Sequence, residues 1–98
     1  MEVRFVRKSG LPQAEISVED LALYDAAKGK YFGLEGSSTR IWQLLESPTS
    51  IRGLCERLLV EFDVAPDVCR QQVQEFVAQL IKEGLVSQVD ETSEIETP

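Results

Sequence analysis

The sequence predicts an α+β domain with its strands first and its helices after. Two-residue alternation of apolar side chains dominates up to about residue 35. From residue 37 the apolar period changes to 3.6. The length of 98 residues leaves room for one small core, and a composition 43% hydrophobic and 28% charged suits a globular chain.

Residues 1–14 alternate weakly through Val3-Arg4-Phe5-Val6-Arg7 and then break at Ser9-Gly10-Leu11-Pro12, which reads as a short edge strand or a loose arm. Over residues 15–35, Ile16 and Val18 alternate and Leu21-Ala22-Leu23-Tyr24 follows. Asp25-Ala26-Ala27-Lys28-Gly29 makes a turn, and Lys30-Tyr31-Phe32-Gly33-Leu34 returns as a second hairpin arm. Alternation puts Phe32 and Leu34 on one face and Tyr31 and Gly33 on the other. The expected product is a small antiparallel meander.

Ser37 or Ser38 is placed to cap a first helix carrying Ile41, Trp42, Leu44 and Leu45, which Ser47-Pro48 stops. A second helix starts near Thr49 or Ser50, with Ile51, Leu54, Cys55, Leu58, Leu59 and Phe62 forming one apolar stripe. Gly53 within it costs about 1 kcal/mol against alanine, so packing must hold this helix. Pro66 suits the first position of a third helix, whose inner face is Val68 or Cys69, then Val73, Phe76, Val77, Leu80 and Ile81. Lys82 and Gly84 mark its end, and Leu85-Val86 is expected to pack back onto the core. The domain therefore spans 1–89. Asp90, Glu91, Glu94 and Glu96 belong to an acidic, disordered tail over 90–98, and without them the net charge falls from −7 to −3.

Three β-like segments and three helices give a three-stranded antiparallel sheet on a three-helix bundle resembling a winged helix-turn-helix. Composition narrows the function. There is no histidine, which removes histidine general bases and histidine metal ligands. Ser37, Ser38, Thr39, Cys55 and Cys69 thus have no histidine to activate them as nucleophiles. Cys55 and Cys69 sit at apolar helical positions and read as core filler. No cofactor, no metal and no enzymatic activity are expected. Ten basic against seventeen acidic residues do not make a phosphate-binding surface. The outward face of the third helix (Arg70, Gln71, Gln74, Glu75, Gln79, Lys82) keeps a winged-helix DNA-binding regulator as an alternative, and a protein–protein adaptor as another. Met1-Glu2-Val3-Arg4 lacks the apolar stretch of a signal peptide and no apolar window approaches membrane length, so the chain is expected to be soluble and cytoplasmic.

A short apolar strand beside a helix makes a groove: the strand offers backbone N–H and C=O groups, the helix offers pockets, and an extended peptide fits as an added strand. Leu23-Tyr24-Asp25, Gly29-Lys30-Tyr31-Phe32-Gly33-Leu34 and Arg40-Ile41-Trp42-Gln43-Leu44-Leu45 carry a family likeness. Glu61-Phe62-Asp63-Val64, Val73, Phe76, Leu80 and Gly84-Leu85-Val86 extend it. Over residues 16–88 the chain resembles the PqqD-like proteins, the precursor-peptide recognition elements of ribosomally made, post-translationally modified peptides, and among them those of lasso-peptide clusters.

That resemblance implies non-catalytic binding of a precursor's leader segment against the last sheet strand, and delivery to a maturation enzyme such as a leader peptidase. It implies a strand wall of Lys30, Tyr31, Phe32, Gly33 and Leu34. The helix wall is drawn from Val68, Cys69, Gln72, Val73 and Phe76. Each helix residue also has a core reading, and Val73 and Phe76 are expected to be core and groove floor together. Two positions depart from the family: Glu35 stands where asparagine often follows the leucine, and Ala65 where an acidic cap often precedes the proline. Sequence leaves open which parity of residues 30–34 turns its N–H groups outward.

Overall fold

The computed structural model describes residues 3–17 and 19–90, with Asp90 described by its backbone alone. Val18, positions 1 and 2 of the expected arm, and positions 91–98 of the expected tail lie outside the described residues. The elements run β1 (Val3–Arg7), β2 (Gln13–Glu15), β3 (Asp20–Asp25), β4 (Lys30–Glu35), α1 (Ser37–Leu44), β5 (Thr49–Ser50), α2 (Ile51–Glu61), α3 (Pro66–Lys82) and β6 (Val86–Asp90). The α+β class holds: the antiparallel sheet β2-β3-β4 packs against the three helices in a winged-helix-like arrangement.

A second three-stranded sheet, in the order β5-β1-β6, was not expected. Its middle strand is β1, so residues 3–7 are neither an edge nor a loose arm. The Arg7 N–H donates to the Leu45 carbonyl at 2.9 Å and the Lys8 N–H to the Leu85 carbonyl at 2.7 Å. Pairing with β6 runs from Val3↔Asp90 to Arg7↔Val86, so Asp90, expected in the tail, ends a strand. The first strand of the meander also differs: it is Gln13–Glu15, while Ile16, read as part of an alternating β segment, is 68% exposed beyond its end.

Leu21, Leu23 and Leu34 turn one face of the sheet into the core. There they meet Ile41, Trp42 and Leu45 of the α1 segment, Leu54 and Leu58 of α2, Cys69, Val73, Val77 and Leu80 of α3, and Leu85. Each such side chain contributes about 1.5–3 kcal/mol when fully buried. Trp42 joins both sheets: its Nε1–H donates to Gln13 Oε1 of β2 at 3.0 Å, and the Arg7 guanidinium of β1 stacks 5.5 Å from the ring.

The chain enters α1 through Gly36 at φ 59°, a conformation glycine adopts without strain, and no side chain caps the helix. Ser37 and Ser38 are therefore inside α1 rather than caps. Ser50 does cap α2, its hydroxyl accepting from the Gly53 N–H at 3.0 Å. Pro66 opens α3, Ala65 supplies no side-chain cap, and Gly84 at φ 78° turns the chain out of its end. Val68 and Ile81, expected on the inner face of α3, are 42% and 40% exposed, since the buried stripe is the narrower Cys69-Val73-Val77-Leu80 set. Among the described residues no helix is long and apolar enough to cross a membrane.

Candidate functional site

The β3–β4 register runs from Asp20↔Glu35 to Asp25↔Lys30. One step beyond, the Gly36 N–H donates to the Glu19 carbonyl at 2.9 Å. Bonded and non-bonded pairs alternate in an antiparallel ladder, so Leu21↔Leu34, Leu23↔Phe32 and Asp25↔Lys30 exchange bonds. The other side of β3 agrees: the Tyr24 N–H reaches the Pro12 carbonyl and the Ile16 N–H reaches the Asp20 carbonyl, both at 3.0 Å. On β4 the N–H and C=O groups of Tyr31, Gly33 and Glu35 consequently point away from β3. Because β4 ends its sheet, these groups form an edge unpaired among the described residues.

Opposite that edge stands α3, and three cavities follow one another along its flank: the first between β4 and α3, the second between α1 and α3, and the third among α1, α2 and α3. Nearest the hairpin, a cavity of about 260 Å³ is lined by Phe32, Gly33, Leu34, Phe76, Gln79 and Glu83, among others. The middle part, about 370 Å³, lies between Ser37 and Ser38 of α1 and Gln72, Glu75, Phe76 and Gln79 of α3. The third part, about 260 Å³, is an apolar socket under Ile41, Leu58, Phe62, Val64, Cys69 and Val73, with Ser37, Asp63 and Gln72 at its rim. Ion pairs brace both ends. Lys28 Nζ donates to the Glu83 carbonyl at 2.6 Å and lies 3.7 Å from its carboxylate. Arg40 grips Glu61 through two bonds of 2.8 and 3.0 Å, tying α1 to the end of α2. That contact raises the Arg40 pKa and holds Glu61 below the ordinary glutamate value.

Of the strand residues singled out from sequence, Phe32, Gly33 and Leu34 line the groove. Tyr31 is 75% exposed on the far face of the sheet, its ring 4.6 Å from that of Tyr24. Lys30 is exposed at the hairpin end of β4 and lines no part of the groove. On α3, Gln72, Val73, Cys69 and Phe76 all line it, with Val73 buried beneath and Phe76 half-buried at the floor. Val68 stands exposed one turn before Gln72 on the same flank. Cys69 and Cys55 are free and buried; burial, reinforced by the neighbouring Cys69 thiol, pushes the Cys55 pKa up.

Sequence reasoning missed the residues of α1, Ser37, Ser38 and Ile41, because nothing in a linear reading brings the start of α1 against α3. It also missed Glu75, Gln79 and Glu83 as groove residues, although steps of three and four from Gln72 reach all of them. Two of these, Glu75 and Gln79, belong to the face considered for DNA reading.

A solved structure, TbiB1 in complex with the TbiA(beta) leader peptide, shares this fold: TM-score 0.74 and 23% identity, over 84% of this chain and 94% of that one. No curated protein matches the chain. The family model described as coenzyme PQQ synthesis protein D (PqqD) matches residues 20–86, from the first residue of β3 to the first of β6. On that match, which covers the edge strand, all three helices and the groove between them, the chain belongs to the PqqD family.

Proposed function

We propose that this protein is a non-catalytic recognition element that binds the leader segment of a ribosomal precursor peptide as an added strand on β4. The observation that carries this reading is the edge itself: Tyr31, Gly33 and Glu35 turn unpaired N–H and C=O groups into a groove walled by α3. The leader's alternate side chains enter the groove over Phe32, Leu34 and Phe76, and one of them reaches the socket beside Cys69, Gln72 and Val73. Lys30, Tyr31 and Val68 flank the path rather than line it. Membership of the PqqD family and the likeness to a leader-bound relative support the same assignment.

The bound precursor is presented to a maturation enzyme, a leader peptidase of a lasso-type pathway, in the cytoplasm. Neither a nucleic acid nor a membrane is a partner in this reading. Titration with fluorescently labelled leader segments of ribosomal precursor peptides tests it. Saturable binding with the peptide unchanged in mass is expected; cleavage or covalent change by this chain alone refutes it.

A further inference from the structure

Three cavities make up the groove, and every charged side chain lining them is acidic: Asp63, Glu75 and Glu83. No lysine or arginine lines any of the three, although the chain has ten. Glu83 is held by Lys28 at the hairpin end. Among the described residues Glu75 meets only the amide of Gln71, at 3.4 Å, on its own helix. Gln79 lies across from β4, Glu75 lies across from Ser37 and Ser38 of α1 where the groove runs on past the end of β4, and Asp63 stands at the apolar socket.

An added strand pairing with β4 shares the pleat of β4, so its residues opposite Phe32 and Leu34 turn toward α3 and those opposite Tyr31 and Gly33 turn away. Each helix-facing side chain must therefore fit a wall that is apolar at Phe76 and negative or neutral elsewhere. Past the end of β4, an anionic side chain turned toward α3 meets Glu75, with no lysine or arginine among the residues lining the groove to offset it. A lysine or arginine can lay its methylenes over Phe76 and bring its charge to a carboxylate.

We infer that the groove selects a cationic leader: where the peptide runs on from β4 along α1, the side chains it turns toward α3 carry lysine or arginine, seated against Glu75 and Asp63. This rests on the strand-addition reading above and deepens it by naming the chemistry of the peptide. Apolar anchoring and backbone pairing supply most of the affinity. The carboxylates supply discrimination, since rim charges steer and exclude more than they bind.

The test uses a display library of random twelve-residue peptides selected on the intact protein. Peptides that bind the wild type and lose binding to Gly33→Pro are the ones added to β4. Among those, enrichment of lysine and arginine at alternate positions is expected. Their affinity should fall roughly two- to fivefold with Glu75→Gln, and by a similar factor with Asp63→Asn. It should also weaken on raising salt from 0.05 to 0.5 M, by roughly the same factor. Both substitutions are at exposed positions and leave the core untouched. If the β4-dependent peptides show no basic enrichment and no salt dependence, the charge inference fails while strand addition stands. Enrichment of aspartate or glutamate, drawn to the uncapped start of α1, overturns it as well. If no selected peptide depends on Gly33, strand addition itself fails and this inference falls with it.

Discussion

Strands β4 and β6 end their two sheets in the same way. Each has one antiparallel neighbour, and each turns alternate backbone groups outward. For β6 the Lys8 N–H bond to Leu85 sets the parity, leaving Val86, Gln88 and Asp90 pointing away from β1. The difference lies opposite the edge. Across from β4 stands the flank of α3, and Phe32, Gly33 and Leu34 line a groove with it. None of the groove's cavities is lined by a residue of β6. An open edge alone is a generic hydrogen-bonding template. A facing helix makes it a site, because side-chain pockets then choose what the backbone pairs with.

The largest effect should come from the residue both sheets share. Trp42→Ala removes a fully buried ring together with its contacts to Gln13 of β2 and Arg7 of β1. A loss of about 3–5 kcal/mol is expected in urea unfolding. A loss below about 1 kcal/mol would mean that the sheets are not joined through this side chain.

The comparison itself is broken or sharpened by a matched pair of prolines. Gly33→Pro removes an outward N–H on β4, where a side chain meets nothing within 4 Å. It should weaken leader binding by about 1–3 kcal/mol with the fold kept. Gln88→Pro removes the equivalent outward N–H on β6 and should leave affinity unchanged. Equal losses at both edges would make the groove irrelevant to binding. Smaller again is Gln72→Ala, expected to cost binding about 0.5–1.5 kcal/mol by calorimetry without lowering the melting temperature.

The smallest effect concerns the brace at the socket end. Arg40 holds Glu61 below the ordinary glutamate pKa through their hydrogen bonds. Stability from a depressed carboxylate is present above its unfolded-state pKa and lost as pH falls through the folded-state value. The melting-temperature difference between wild type and Arg40→Met should therefore be small and positive at pH 7. It should shrink toward zero as the solution is acidified below the glutamate range. A difference that persists at acid pH would assign the stabilisation to packing of the Arg40 stem.

The same contrast between sheets explains what was legible in the sequence. The β3–β4 hairpin closes over four residues, so its alternation, its turn and the inward placement of Phe32 and Leu34 could be read locally. So could the helices, whose stripes are internal to each segment. Strand β1 finds its partners at residues 49–50 and 86–90, and no local pattern in Val3-Arg4-Phe5-Val6-Arg7 announces partners so remote. The groove divides likewise. Its strand wall and Gln72, Val73 and Phe76 follow from alternation, helical spacing and the family likeness, whereas Ser37, Ser38 and Ile41 enter only because Gly36 folds α1 back beside α3. Parity of the edge is set by bonds that reach beyond the β3–β4 strands, Gly36 N–H to Glu19 O and, across β3, Tyr24 N–H to Pro12 O and Ile16 N–H to Asp20 O.

That parity is open to one direct measurement. Backbone amide exchange of β4, followed by nuclear magnetic resonance without and with a saturating leader peptide, resolves each residue of the edge. In the unbound protein Phe32 and Leu34 should already be protected by β3, while Tyr31, Gly33 and Glu35 exchange quickly. Peptide addition should protect members of the second set and leave the first almost unchanged. Protection confined to α3 or to β6, with Tyr31, Gly33 and Glu35 still exchanging at their unbound rates, would contradict strand addition on β4.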